Sequence, residues 1–384
     1  MQDLDEGGKM KTLLKNIRDR LRHLDFVIMF CVIALSVIGL ITHWGAREVY
    51  GTSRVIVQGF ATLLGLFLAL MIATLDYQDI CDKLSVPLFI GGVAALLLTL
   101  VIGSTGMFGG KSWIQIPGIP LTIQPSEFVK PILILTFAKH LEVLRDKINH
   151  PLSVLRLLLH VGILAGLVFL QDDLGTSLVY LSIAVFMIFA AGLCIWYFII
   201  GGAFVIIAFP HIWPLLGEYQ RDRILVGFNP ELDPTDKGMQ ALMSRRAITS
   251  GGFWGKGIDG GTLYEDVPMA NNDFILSIIG EKFGFIGCAI VVLLFAVLII
   301  RIFIVAIRAR KDCGAYIAVG CGALLLAQAT ENLGMALAML PVVGITLPFL
   351  SYGGSSVLSL YMMIGIMQSI CTHAKKYHFE REEA

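Results

Sequence analysis

Residues 273–308 read DFILSIIGEKFGFIGCAIVVLLFAVLIIRIFIVAIR. A helix of about 20 apolar residues crosses the hydrocarbon of a bilayer, which is about 30 Å thick. This stretch exceeds that need and is long enough to tilt or to project from the membrane. It opens on a carboxylate, Asp273, and carries Glu281 and Lys282 two turns further on. Working outward, nine more apolar stretches bounded by charge or Pro/Gly clusters lie at about 26–44, 54–75, 84–103, 125–143, 153–170, 174–192, 194–215, 314–335 and 356–373. They predict an all-α integral membrane protein of about ten transmembrane helices. The one substantial polar loop, 216–272, falls between the seventh and eighth helices and is too short for a domain with its own core.

The composition agrees. Of 384 residues, 56% are hydrophobic and 15% charged, against about 25% charged in a soluble chain. The formal net charge is zero, which argues against nucleic acid as a partner. The seven cysteines lie mostly inside apolar runs (Cys31, Cys194, Cys288, Cys321), with no CxxC pair or Cys/His metal spacing, and read as small helix residues. The first apolar run, Phe26–Trp44, is too long for a signal-peptide core and lacks a cleavage site, so it is expected to remain as a helix.

Lys and Arg in short flanks set orientation. They gather in the N-terminal segment (Lys9, Lys11, Lys15, Arg18, Arg20, Arg22), after the fourth span (Arg145, Lys147, Arg156), after the eighth (Arg308, Arg310, Lys311) and in the tail (Lys375, Lys376, Arg381). With ten spans, all four groups fall on one side. The expected organisation is a basic cytoplasmic segment 1–25, a membrane domain 26–373 and a cytoplasmic tail 374–384, in a bacterial plasma membrane, with loops 104–124, 216–272 and 336–355 outside. Within the large loop, Lys237–Ser250 is a candidate amphipathic helix stopped by Gly251 and Gly252.

Ionisable groups at membrane depth cost about 2.5–3.5 kcal/mol on insertion scales, so their positions carry information. Glu127 and Lys130 are three apart at the start of the fourth span and share a helix face. They read either as a self-neutralising helix start or as the charged wall of a wet cavity. Asp173, between the fifth and sixth spans, and Asp273 each read as a helix N-cap or as a functional carboxylate. Glu281 is too deep for capping. The Pro- and Gly-rich segment Pro341–Ser356 predicts non-helical backbone, a re-entrant loop beside a cavity. On these residues alone, a transporter and an enzyme fit equally well.

Five segments together resemble the SEDS family, the shape, elongation, division and sporulation proteins. They are Gln124-Pro125-Ser126-Glu127 with Lys130; Asp173-Leu174-Gly175-Thr176; Tyr219-Gln220-Arg221-Asp222-Arg223, followed by the run from Gly251 to Gly257; Asp273-Phe274-Ile275 with Glu281 and Gly284; and Pro341–Ser356. The resemblance covers about residues 25–375 and leans to the elongation branch. Departures include Asn271, Asn272, Met269, Lys282, Ser112 and Asp172. The resemblance implies a peptidoglycan glycosyltransferase that joins lipid II into glycan strands beside a class B penicillin-binding protein and other elongation proteins, inverting the anomeric centre and releasing undecaprenyl pyrophosphate. A hydroxyl acceptor needs a positioned base, which the resemblance assigns to Asp273. Developing pyrophosphate charge needs cations, for which Arg221, Arg223, Lys256 and Lys130 are candidates. Glu127, Glu281, Asp173 and Ser351 complete the expected substrate-binding set. A divalent cation such as Mg²⁺ is a possible cofactor, although no ligand cluster specifies one. The rival readings are a lipid II flippase, which needs no base at Asp273, and a non-catalytic scaffold of the wall-synthesis complex.

Overall fold

The computed structural model describes residues 23–104, 111–115, 122–215, Arg221, 225–236 and 238–382. Ten long helices lie at the ten expected positions. They are α1 Phe26–Gly45, α2 Thr52–Ala73, α3 Tyr77–Ile102, α4 Pro125–Leu144, α5 Pro151–Phe169, α6 Leu174–Ala190, α7 Ile195–Ile212, α8 Ile275–Arg308, α9 Asp312–Ala336 and α10 Gly354–Glu382. The strands among the described residues are one two-residue antiparallel pair, Ile114–Gln115 with Thr122–Ile123. Seven of the ten helices are long and apolar enough to cross a membrane, and α6 and α7 are apolar but shorter. The chain is thus an all-α, multi-pass membrane protein.

The exception among the ten is instructive. Helix α4 carries Glu127, Lys130, Lys139, His140 and Glu142, so composition alone would not place it in lipid. It is nevertheless buried along much of its length, from Pro125 to Leu141, and packs against α3, α9, α10 and α5. The polar helix sits inside and apolar ones surround it, as expected where lipid is the solvent. Helices α9 and α10 are the most buried of the seven apolar spans, α2 and α3 the least.

Boundaries shift where side chains override apolarity. Helix α3 starts about two turns earlier than its apolar run, because Asp76 caps the amide of Gln78 at 2.9 Å and Asp79 pairs with Lys83 at 2.8 Å. The tight link between α6 and α7 turns on Gly192, whose φ of 87° suits glycine. In the large loop, a helix forms over Met239–Ser250 and is capped by Gly251. The expected start of that helix, Lys237, lies outside the described residues, as do segment 1–22 and Arg223.

Helix α8 is broken at Gly284 (φ 66°, ψ −160°), which frees backbone groups that hydrocarbon would not satisfy. The run Gly251–Gly257 supplies the partners. The amides of Lys256 and Gly257 donate to the carbonyls of Glu281 and Lys282 at 3.0 Å each, and the amide of Phe285 donates to Gly252 at 2.9 Å. So close a crossing needs glycine. A Cβ on Gly251 would lie 1.9 Å from the Gly280 carbonyl oxygen, and one on Gly255 would lie 2.2 Å from that of Lys282. Side chains reinforce the seam. Glu281, fully buried, accepts from Lys256 at 2.7 Å and from the amides of Thr262, Leu263 and Tyr264. Lys282 donates to the carbonyls of Ile258 and Gly260. Glycines 252 and 255 both have positive φ, but a Cβ on Gly252 meets open space. Gly252→Ala should therefore cost only the left-handed strain, about 1–2 kcal/mol. Gly255→Ala should cost clearly more and lower the melting temperature of detergent-solubilised protein further. Equal melting losses would show that the seam is not tightly packed.

Candidate active site

The turn before α8 holds Asp273. Helix α8 begins at Ile275, with Phe274 in the capping position and no side-chain cap, so N-capping does not account for Asp273. Its amide donates to the Met269 carbonyl at 3.1 Å, and its carbonyl accepts from Asn332 Nδ2 at 2.6 Å. The same Nδ2 donates to the Ile345 carbonyl at 2.6 Å. One amide of α9 thus ties the Asp273 turn to the closing loop. A Cβ on Gly344 would lie 3.7 Å from Asp273 Oδ2, which puts the loop backbone against the carboxylate. Asp273 is 8% exposed. Burial, and then the negative charge of Asp173, push its carboxyl up to about 7.

The closing segment, Pro341–Gly353, is non-helical as expected and heavily buried. Its backbone is satisfied by bundle side chains. Gln58 Nε2 donates to the Ser351 carbonyl at 3.0 Å, His43 Nε2 meets the Leu350 carbonyl at 3.0 Å, and Tyr352 N donates to Asn271 at 2.9 Å. Ser351 Oγ accepts from the Leu347 amide at 2.9 Å; its described bonds hold the loop's own shape. Among the described residues, three of the four non-glycine residues with left-handed backbone, Asp172, Met269 and Phe349, lie on the segments that bear Asp173, Asp273 and the loop. Such strain gathers where surrounding structure overrides local preference.

Asp173 caps α6 through the Thr176 amide at 3.0 Å and accepts from Gln124 Nε2 at 2.9 Å. Burial raises its carboxyl, against the pull of Thr176 and Lys130. The capping reading of Asp173 holds, and its charge is also felt at Asp273. Glu127 and Lys130 form a buried ion pair of 2.6 Å. Ser359 Oγ donates to the Glu127 carbonyl at 2.6 Å, locking α10 to α4. Glu127 Oε2 and, on α9, Glu331 Oε2 are buried without a hydrogen-bond partner in the protein.

The expected cations separate. Lys130 lies in this cluster. Lys256 is taken by Glu281 in the α8 seam. Arg221 donates to the Pro214 carbonyl at 2.6 Å and shows no contact with Asp273 among the described residues. Arg54, at the start of α2, was not singled out in the sequence. Its guanidinium stands 5.5 Å from the ring centroids of both Tyr50 and Tyr352, and Tyr352 bonds to the Asn271 carbonyl, two residues from Asp273. The available signal was an arginine on a flank otherwise sparse in positive charge. Among the described residues no group of three His, Cys, Asp or Glu side chains is placed to hold a metal ion.

A helical membrane bundle with a buried carboxylate in the turn before α8, set against an irregular loop, defines a membrane protein whose polar centre lies at the bundle's end. The family model described as cell cycle protein, FtsW/RodA/SpoVE, matches residues 22–376, and the chain belongs to that family. It is 34% identical over 366 residues to a probable peptidoglycan glycosyltransferase FtsW of Trichlorobacter lovleyi, covering 93% of this chain and 95% of that protein. It is 32% identical over 367 residues to the peptidoglycan glycosyltransferase MrdB of Escherichia coli K12, covering 92% and 95%. A chain from a peptidoglycan synthase complex, solved for its coordination of polymerization and crosslinking, superposes with a TM-score of 0.80 at 28% identity, over 92% of this chain and 99% of that one.

Loss of either member of the Glu127–Lys130 pair leaves an uncompensated buried charge, a cost of about 3–5 kcal/mol. Glu127→Ala and Lys130→Ala should each lower the melting temperature by that measure. The double variant should lose less than the sum. Additive losses in a double-mutant cycle of melts would dissolve the pair as a unit.

Proposed function

We propose that the chain is a peptidoglycan glycosyltransferase that polymerises lipid II, with Asp273 as its general base. The observation that carries this reading is the Asp273 carboxyl, buried in a turn outside α8 and titrating near neutrality. A base works best when its pKa lies near the working pH. Asp273 takes the proton of the acceptor sugar's 4-hydroxyl as that oxygen bonds to the donor's anomeric carbon. The bond from that carbon to the pyrophosphate breaks, the configuration inverts, and undecaprenyl pyrophosphate departs with its electron pair. Burial, and then the charge of Asp173, hold the Asp273 carboxyl high. Lys130 and Arg54 are the described cations best placed to offset leaving-group charge, and Arg54 brings a planar fork suited to phosphate. Arg223 keeps this role as a proposal from resemblance. A divalent cation such as Mg²⁺, which would neutralise leaving-group charge, is a proposal from the resemblance alone: Asp173 already accepts from Thr176 and Gln124, and no group of three candidate ligands stands together among the described residues.

The reading extends to setting. The Lys/Arg bias supports both termini in the cytoplasm and the 216–272 loop outside, in the plasma membrane. A class B penicillin-binding protein is the proposed partner, supported by the likeness to a chain of a complex that couples polymerization to crosslinking. Service in elongation rather than division is proposed from the motif resemblance, since the FtsW and MrdB relatives are nearly equally similar.

Asp273→Asn keeps size and shape but cannot accept a proton, so glycan synthesis from lipid II by the purified variant with its partner should fall about 10²–10⁴-fold with an unchanged melt. A stable Asp273→Asn protein polymerising at the parent rate would remove Asp273 from the mechanism and favour a flippase. Because the active form is the carboxylate, the parent rate should rise with pH through about 7 and level off above. Asp173→Asn removes a neighbouring negative charge and should move that rise to lower pH; a rate flat from pH 5.5 to 8.5 would contradict the assignment. For topology, labelling of cysteines placed at Asp236 and Glu380 should occur from opposite sides of the membrane, and labelling from one side would reject the arrangement.

A further inference from the structure

At the end of the bundle opposite Asp273, three segments distant in sequence enclose a cavity of about 280 Å³. The α2–α3 turn contributes Asp76, Tyr77 and Gln78; the α8–α9 link contributes Arg310 and Lys311; α10 contributes Ile370 and His373. The α2–α3 turn and the α8–α9 link are helix ends, and His373 closes the apolar stretch of α10, which sets the cavity at headgroup depth.

Its lining combines two cations, Arg310 and Lys311, with unsatisfied hydrogen-bond acceptors. Lys311 occupies the capping position of α9, whose first turn has no side-chain cap, and α3 begins beside the cavity at Tyr77. Helix N-termini favour negative charge. The nearby carboxylates already have partners: Asp79 pairs with Lys83 and Asp312 with Arg145. Lys311 makes no ion pair among the described residues. Asp76, the one carboxylate in the lining, accepts from the Gln78 amide and stands 3.8 Å from His373 Nε2. His373 is 8% exposed. Its Nδ1 lies 2.8 Å from the Ser369 carbonyl; a carbonyl only accepts, so Nδ1 carries the proton. Nε2 is left buried without a hydrogen bond, on the wall of the cavity. Gln78 Oε1 is likewise buried and unbonded, an acceptor for a hydroxyl. Apolar surface adjoins the charge, with Ile370 in the lining and Ile307, 85% exposed, just before Arg308 and Arg310.

We propose that this cavity binds the phosphate headgroup of an acidic glycerophospholipid. Arg310 and Lys311 contact the phosphate, His373 Nε2 and Gln78 Oε1 each accept from a headgroup hydroxyl, and an acyl chain runs along Ile307. Basic pockets between helix ends at the membrane surface are suited to such headgroups. The cavity is remote from Asp273 and independent of the glycosyltransferase reading.

The test is native mass spectrometry of the detergent-solubilised full chain titrated with phosphatidylglycerol, phosphatidylcholine or inorganic phosphate. The parent should retain phosphatidylglycerol well above phosphatidylcholine. Each basic charge removed should weaken retention about fivefold, so R310Q/K311Q should lose about twenty-fivefold. R156Q, which removes an exposed arginine elsewhere, should change nothing. A melt checks folding; if the double variant is unstable, K311Q and H373L alone give the same readout. Equal retention of both lipids, an unaltered R310Q/K311Q preference, or an equal loss in R156Q would overturn the site. Displacement of phosphatidylglycerol by equimolar inorganic phosphate would overturn the lipid as its ligand.

Discussion

Hydrocarbon offers a backbone no hydrogen bonds, and that constraint governs every irregular stretch of this chain near the membrane. Helix α8 breaks at Gly284, and the 341–353 segment never becomes helical. Both persist because the protein supplies what lipid cannot. Loop amides fill the break in α8. Gln58, His43 and Asn332 fill the closing segment. Asn332 joins the two segments, since its one amide nitrogen holds both Asp273 and Ile345 by their carbonyls. The orientation of the proposed base thus depends on a side chain that has no charge.

Charge is arranged with the same economy. Lys130 is bonded to Glu127 and lies within electrostatic reach of Asp173 and Glu331. Asp273 is left in dry packing within reach of Asp173, and burial, followed by that charge, pushes its carboxyl up to about 7. The polar helix α4 is central because this cluster needs shielding from lipid, and Lys130 with Glu127 can be buried only as a pair. Away from the cluster, Glu281 and Lys256 stabilise the cover over α8, a structural task for residues whose motif suggested substrate contact.

Each motif encodes only part of what places its residues. Asp273, Asp173, Glu127 and Lys130 were recognisable because ionisable groups beside apolar runs are costly and therefore placed for a reason. The same logic could not separate Glu281, which faces loop amides, from a carboxylate facing substrate, because partner amides at positions 262–264 are invisible to local pattern. Ser351 likewise turned inward to its own loop. Arg54 was overlooked because a single arginine after Gly51-Thr52-Ser53 looks like an ordinary flank until Tyr352, about 300 residues away, is brought beneath it.

By itself the sequence determined the membrane class, the ten helix positions and the carboxylates worth attention, because the period and length of apolar runs are local properties that lipid enforces directly. Tertiary structure alone decided where α8 breaks, which cations remain near Asp273 and what raises its carboxyl. Those outcomes depend on distances between residues far apart in the chain: Gly255 against Lys282, Asn332 against Asp273, Asp173 beside Asp273. Apolar periodicity says which face of a helix is buried, but not which neighbour it is buried against.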